Sequence, residues 1–380
     1  MMQGQAYSAA KTVAPALEAH FARHVAEARE QGRTNLASLP DAAAIEAIIS
    51  AAFWASLRRE EGYVPRISLA FLSPGEAAQP LILERSLPLD PGILTRVAPA
   101  VERAGIHLGV WPDGDELRVW GTTRTIPRFC FVLEVAAPGL LVVKHHRAEE
   151  SGKFVNVAVL EADKIKVVDE HASGVPECPA LVNSLLGFDS PAAWVDSVNI
   201  LVQLAVSMRA HGRGGLLLVV PAGSESWRES IVRPIAYSIG PPFTELAHLG
   251  RETPDDDRRR QWQDALARAV DAIAGLTAVD GATVMTSDYD VLAFGAKITR
   301  RKGSPLVEQV TVTEPIEGGV ALVVPPGELG GTRHLSAAQF VQDQRDAVAL
   351  VASQDGHFTV FAWSSCEEMV HAHRVETLLL

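Results

Sequence analysis

Between Ile67 and Leu160 the chain is a succession of short apolar or alternating runs: ISLAFL, LILE, HLGVW, LRVWG, FCFVLEV, LLVVKHH and FVNVAVL. Most are separated by Gly, Pro or Asp. A strand shows its side chains to alternate faces, and those three residue types turn a chain, so this is the punctuation of a β-sheet. One helix, from about Pro91 to Ala104, interrupts the runs. The stretch 62–175 is expected to be a mixed α+β region made mostly of sheet.

The flanks have a different period. Leu17, Phe21 and Val25 recur at helical spacing, a polar EQGRTN break follows, and a second helix opens at Pro40-Asp41 with Ile45, Ile48, Ile49, Ala52 and Phe53 on one stripe. Residues 177–212 are again helical in pattern, with Asp189-Ser190-Pro191 as N-cap and first turn. GLLLVVPAG (215–223) has the pattern of a buried strand ending in a Gly turn, and SESWRES that of a helix start. The charged stretch Gly250–Arg260 is the linker candidate and the entrance of an amphipathic helix through Trp262, Leu266, Val270 and Ile273. Strands are expected at DGATVMT, VLAFGAKI, EQVTVT and GVALVV, then a Gly-rich turn, a helix over about 335–346, and strands AVALVAS and HFTVFAW. The fold class is therefore α+β or α/β with mixed sheets. Its expected parts are a helical segment 1–61, a mixed α+β domain 62–250 and a mixed α/β domain 255–380. No internal repeat is visible.

Acidic residues outnumber basic ones 46 to 34, a formal net charge of −12. Such a surface repels phosphate backbones, so direct nucleic-acid binding is not expected. Cys130, Cys178 and Cys366 are far apart and odd in number, which fits neither a disulfide framework nor a structural zinc site. No run approaches the roughly 18 apolar residues of a membrane span, and the N-terminus lacks a signal-peptide pattern, so a cytoplasmic protein without membrane partners is expected.

Two short motifs in the last region carry chemistry. Asp280-Gly281-Ala282 stands at a strand start; its glycine permits close approach, and its carboxylate is suited to Mg²⁺ or Mn²⁺ or to a hydroxyl. Alone, Asp-Gly reads as a turn before a strand. Gly330-Gly331-Thr332-Arg333-His334 precedes a helix, where free backbone N–H groups, a hydroxyl, a guanidinium and an imidazole together suit phosphate. Lys144-His145-His146-Arg147 and Lys153 have the pattern of a solvated hairpin end. His371 and His373 are expected on a helix surface, Trp111 and Trp120 in the core or on a sheet face, and Ser224 lacks a nucleophile-elbow pattern.

The order of the two motifs, with FGAKI between them and VASQDGHFTVF after them, resembles the diadenylate cyclase (DAC) domain of the DNA-integrity scanning protein and of the membrane-bound cyclases that make cyclic di-AMP from two ATP. The resemblance covers roughly 255–363. Its hallmarks match at Asp280, Gly281 and Ala282 and at Gly331, Thr332, Arg333 and His334. Leu335 stands where the family has the last Arg of its loop, 299–319 reads as an inserted segment, and Ser353, Gln354 and Asp355 replace a Ser-Glu-Glu run. With these departures the pattern is closer to divergent DAC-like nucleotide sensors. The resemblance implies that the matching residues bind an adenine nucleotide or cyclic dinucleotide and that occupancy is relayed to the N-terminal half. It also implies an alternative, an active cyclase, with Asp280 catalytic and holding Mg²⁺ or Mn²⁺ in a homodimer. A third alternative is a scaffold that binds no ligand.

Overall fold

The Asp41 carboxylate accepts the backbone N–H of Ala44 at 2.8 Å and so starts helix α2 (Ala42–Ser56), whose Ile45, Ile48, Ile49 and Ala52 are buried. They pack with Val13, Leu17 and Phe21 of helix α1 (Ser8–Glu30). A computed structural model describes residues 7–103, 105–146, 154–168, 200–252, 254–255 and 257–380. The chain divides into two compact units, Met1–Val168 and Asp169–Leu379.

In the first unit, α1 and α2 are followed by β1 (Ser68–Phe71), β2 (Leu81–Pro88), α3 (Pro91–Val97) and β3 (His107–Asp113). Then come β4 (Glu116–Thr123), β5 (Phe131–Ala137), β6 (Leu140–His146), β7 (Phe154–Glu161) and β8 (Lys164–Val167). The sheet order is β2-β4-β3-β1-β5-β6-β7-β8. Only β1 and β3 run parallel; every other neighbouring pair is antiparallel. The helices share a core with Leu69, Val110, Leu133 and Val143 from the sheet. A smaller cluster holds Ala70, Leu72, Trp120 and Val132, with the Trp120 indole donating to the carbonyl of Leu72 at 2.8 Å.

The second unit contains α4 (Ile200–Ala210), β9 (Gly215–Val220), β10 (Tyr237–Phe243), α5 (Glu245–Arg251), α6 (Arg259–Thr277), β11 (Ala282–Thr286) and β12 (Val291–Ala296). It continues with β13 (Val310–Thr313), β14 (Leu322–Val324), α7 (Thr332–Asp343), β15 (Val348–Ala352), β16 (Phe358–Ser364) and β17 (Met369–Arg374). The sheet order is β10-β12-β11-β9-β15-β16-β17-β13-β14. Leu204, Ile273 and Met285 belong to one core, Leu218, Val284, Phe340 and Phe361 to a second, so helices lie on both faces.

The first seven strands of the two sheets have the same order. Replacing β1 through β4 by β9 through β12, and β5 through β7 by β15 through β17, converts one into the other. Strand directions agree too: β9 and β11 are parallel like β1 and β3, and β9 is antiparallel to β15 as β1 is to β5. The chain thus repeats a topology that its sequence does not show as a repeat. Topology depends on which strands pair and in what direction, and many sequences meet the same alternation.

The α+β class with mixed sheets is as expected from the sequence. The unit boundary differs: it falls near Val168, not near 61 or 250–255. β9 pairs with β11 and β15, and β10 with β12, so 200–250 belongs with the C-terminal sheet. The Asp189-Ser190-Pro191 cap, Cys178, Arg147 and Lys153 lie outside the described residues. His371 and His373 are not on a helix. They occupy β17, 3% and 1% exposed, where two-residue spacing puts both on one face. Nor is Lys144-His145-His146 a solvated end: Lys144 pairs with Glu134 at 2.6 Å, and His145 is buried beside the rings of His24 and Phe129.

Candidate functional site

The strand directions decide which ends meet. β11 starts beside the end of β12, with Ala282 opposite Ala296, and β9 starts beside the end of β15, with Gly215 opposite Ala352. Four strand ends therefore lie along one edge of the second sheet. There a cavity of about 520 Å³ opens, with the first turn of α7 as a further wall.

Of the residues singled out from sequence, Asp280, Gly281, Gly331, Thr332, Arg333 and His334 line this cavity. Ala282 does not; it is fully buried at the start of β11. Gly330 is outside the lining as well, but a β-carbon there would stand 2.5 Å from Nδ1 of His334, so its bareness makes room for that ring. Ser353 and Gln354, at the end of β15, also contribute to the wall.

Sequence reasoning missed Lys297 and Ser336, which line the cavity too. A single Lys after a strand forms no motif, and only the fold shows where it arrives. The Lys297 ammonium donates to the Asp280 carboxylate. That bond and the lysine's charge hold the Asp280 carboxyl below the usual range. The Arg333 guanidinium lies over Gly214, where a β-carbon would meet Nη1 at 2.8 Å. His334 is 4% exposed and edge-on to Phe361 at 6.0 Å, and burial pushes its pKa down. Gly331, the N-cap of α7, brings no side chain to the first turn; its carbonyl accepts the N–H of His334 at 3.0 Å, and the N–H groups of Thr332 and Arg333 are the ones turned to solvent or an anion.

The lining thus carries two fixed cations, Lys297 and Arg333, against one carboxylate, Asp280. This balance favours an anion. Asp280 is bonded to an ammonium, and among the described residues no group of three or more His, Cys, Asp or Glu could by itself hold a metal ion. Leu335 is 44% exposed and outside the lining. The 299–319 segment contributes β13, which pairs in parallel with β17.

The remaining candidates have structural surroundings. Burial pushes the Cys130 thiol far up, and the Ser224 hydroxyl bonds to the hydroxyl and the backbone N–H of Ser226. Among the described residues no helix is long and apolar enough to cross a membrane.

Residues 34–124 match a family model described as "Probable sensor domain DACNV". The match runs from before α2 to the end of β4, within the first unit, and covers no strand of the cavity-bearing sheet. No curated protein matches the chain.

Proposed function

We propose that the second unit binds an adenine nucleotide or a cyclic dinucleotide in this cavity, and that the protein is a sensor whose response follows occupancy. One observation carries the reading. Asp280-Gly281 and Gly331-Thr332-Arg333-His334, some fifty residues apart in sequence, line a single cavity with two cations in it. A cavity of about 520 Å³ lies within the range of roughly 300–1,000 Å³ common for small-ligand sites. The resemblance of 255–363 to DAC domains supports the adenine class, and the family match in the first unit supports sensing.

Leu335, which carries no charge, favours sensing over the cyclase alternative. In that alternative an Arg at this place would meet charge on the transferring phosphoryl group.

Thermal melting and titration calorimetry with ATP and with cyclic di-AMP test the reading. A ligand at a hundred times its Kd stabilises the protein by about 2.7 kcal/mol. No stabilisation by either compound would leave the scaffold alternative in possession.

A further inference from the structure

We propose that Lys297, and not a divalent cation, meets the ligand's phosphate charge beside Asp280, so that this cavity takes its nucleotide without metal. The inference rests on the nucleotide reading above and adds a residue and an ionic requirement to it.

The lysine is held at its base. Its backbone carbonyl accepts the N–H of Val232 at 2.8 Å, and the next residue, Ile298, bridges to Ile231. The side chain therefore leaves the end of β12 from a fixed point and reaches the cavity rim, where its ammonium contacts Asp280. A metal at Asp280 would have to displace that ammonium and would then sit beside it, with two like charges in contact and Arg333 on the same wall. Mg²⁺ held by a single carboxylate needs phosphates and water for its other positions, and here the carboxylate competes with a covalently tethered cation. The Lys297–Asp280 pair is also labile, with side chains 54% and 93% exposed. Exposed pairs hold weakly, so the ammonium can exchange the carboxylate for a phosphate at little cost, while its charge, tethered at the rim in either contact, still repels a metal there. Asp280 is left to accept a hydroxyl of the ligand.

The test is calorimetric binding of ATP and of cyclic di-AMP to the full chain, in EDTA and in excess Mg²⁺ or Mn²⁺, for wild type, Lys297→Ala, Lys297→Arg and Asp280→Asn. Wild type is expected to bind in EDTA with an affinity within about twofold of that in metal. Lys297→Ala is expected to lose about tenfold or more in either condition, the scale of a hydrogen bond to a charged group. Lys297→Arg should retain most of the affinity, and Asp280→Asn should not change its dependence on metal. Affinity that rises tenfold with Mn²⁺, and loses that rise in Asp280→Asn, overturns the inference while leaving nucleotide binding in place. So does wild-type affinity in Lys297→Ala. Absence of binding by wild type in every condition overturns both readings. Melting temperatures without ligand separate a binding defect from a folding one.

Discussion

A β-carbon on Gly281 would stand 2.5 Å from the carbonyl carbon of Gly295 and 2.7 Å from its oxygen. The glycine of the Asp-Gly-Ala motif is thus required by the close approach of β12 to the start of β11, and backbone, unlike a side-chain tip, cannot swing aside. Its φ of +114° adds a conformation that L side chains rarely adopt. Gly281→Ala should destabilise the protein by about 1–3 kcal/mol through overpacking and strain. A urea midpoint equal to wild type would show that the two strands separate freely.

Arg333→Ala should weaken nucleotide binding by about 1.5–3 kcal/mol, the range for a hydrogen bond to a charged group. The unliganded protein should melt almost unchanged, because the guanidinium lies over glycine backbone at a cavity wall and not in either core. Equal ligand-induced stabilisation of mutant and wild type would remove Arg333 from the site.

Wild-type protein incubated with ATP and Mn²⁺ should form no cyclic di-AMP, since Leu335 supplies no charge at the cavity and the cations Lys297 and Arg333 repel a metal beside Asp280. Chromatography of the products decides it. Sustained synthesis that disappears in Asp280→Asn would establish the cyclase in place of the sensor.

Stability should fall on mild acidification. Burial lowers the pKa of His107 from 6.5 to about 4 and that of His373 to about 3, with the neighbouring His371 as a smaller cause in the latter. Each imidazole takes up a proton more readily unfolded than folded, so its contribution is complete above pH 6.5. That contribution is lost as pH drops from 6.5 toward 4 for His107 and toward 3 for His373. Within its window each group adds a slope of up to about 1.4 kcal/mol per pH unit. Denaturant titrations between pH 7 and 4.5 should show the decline, and His373→Gln should make it shallower. An identical slope in the mutant would assign the proton uptake elsewhere.

What was legible in the sequence was local. The Asp41 cap, the stripe from Ile45 to Phe53 and the strands around Leu133 and Val142 followed from periodicity and turn residues. The two cavity motifs were recognisable because each combines several unusual residues in a few positions. Pairing between distant segments was not legible. Nothing in GLLLVV announces that it lies between β11 and β15, so the division of the chain was placed at a charge run and not near Val168. Alternating polar residues such as His371 and His373 have the pattern of a wet surface, yet both are buried on β17. Thr313 bonds to the ring of His373 at 2.7 Å and Glu367 to that of His371 at 2.8 Å, and such partners make burial tolerable.

The repeated strand order has a practical consequence. Between β4 and β5 the first unit crosses with residues 124–130, whereas between β12 and β15 the second inserts 297–347, the segment that brings Lys297, Thr332, Arg333 and His334 to the cavity. The same chain therefore holds a frame fitted with this recognition segment and a frame without it. A titration signal confined to the β9–β11 ends would therefore follow the 297–347 segment, and one that appears at the β1–β3 ends as well would report the first unit's response, in the part that matches the sensor family.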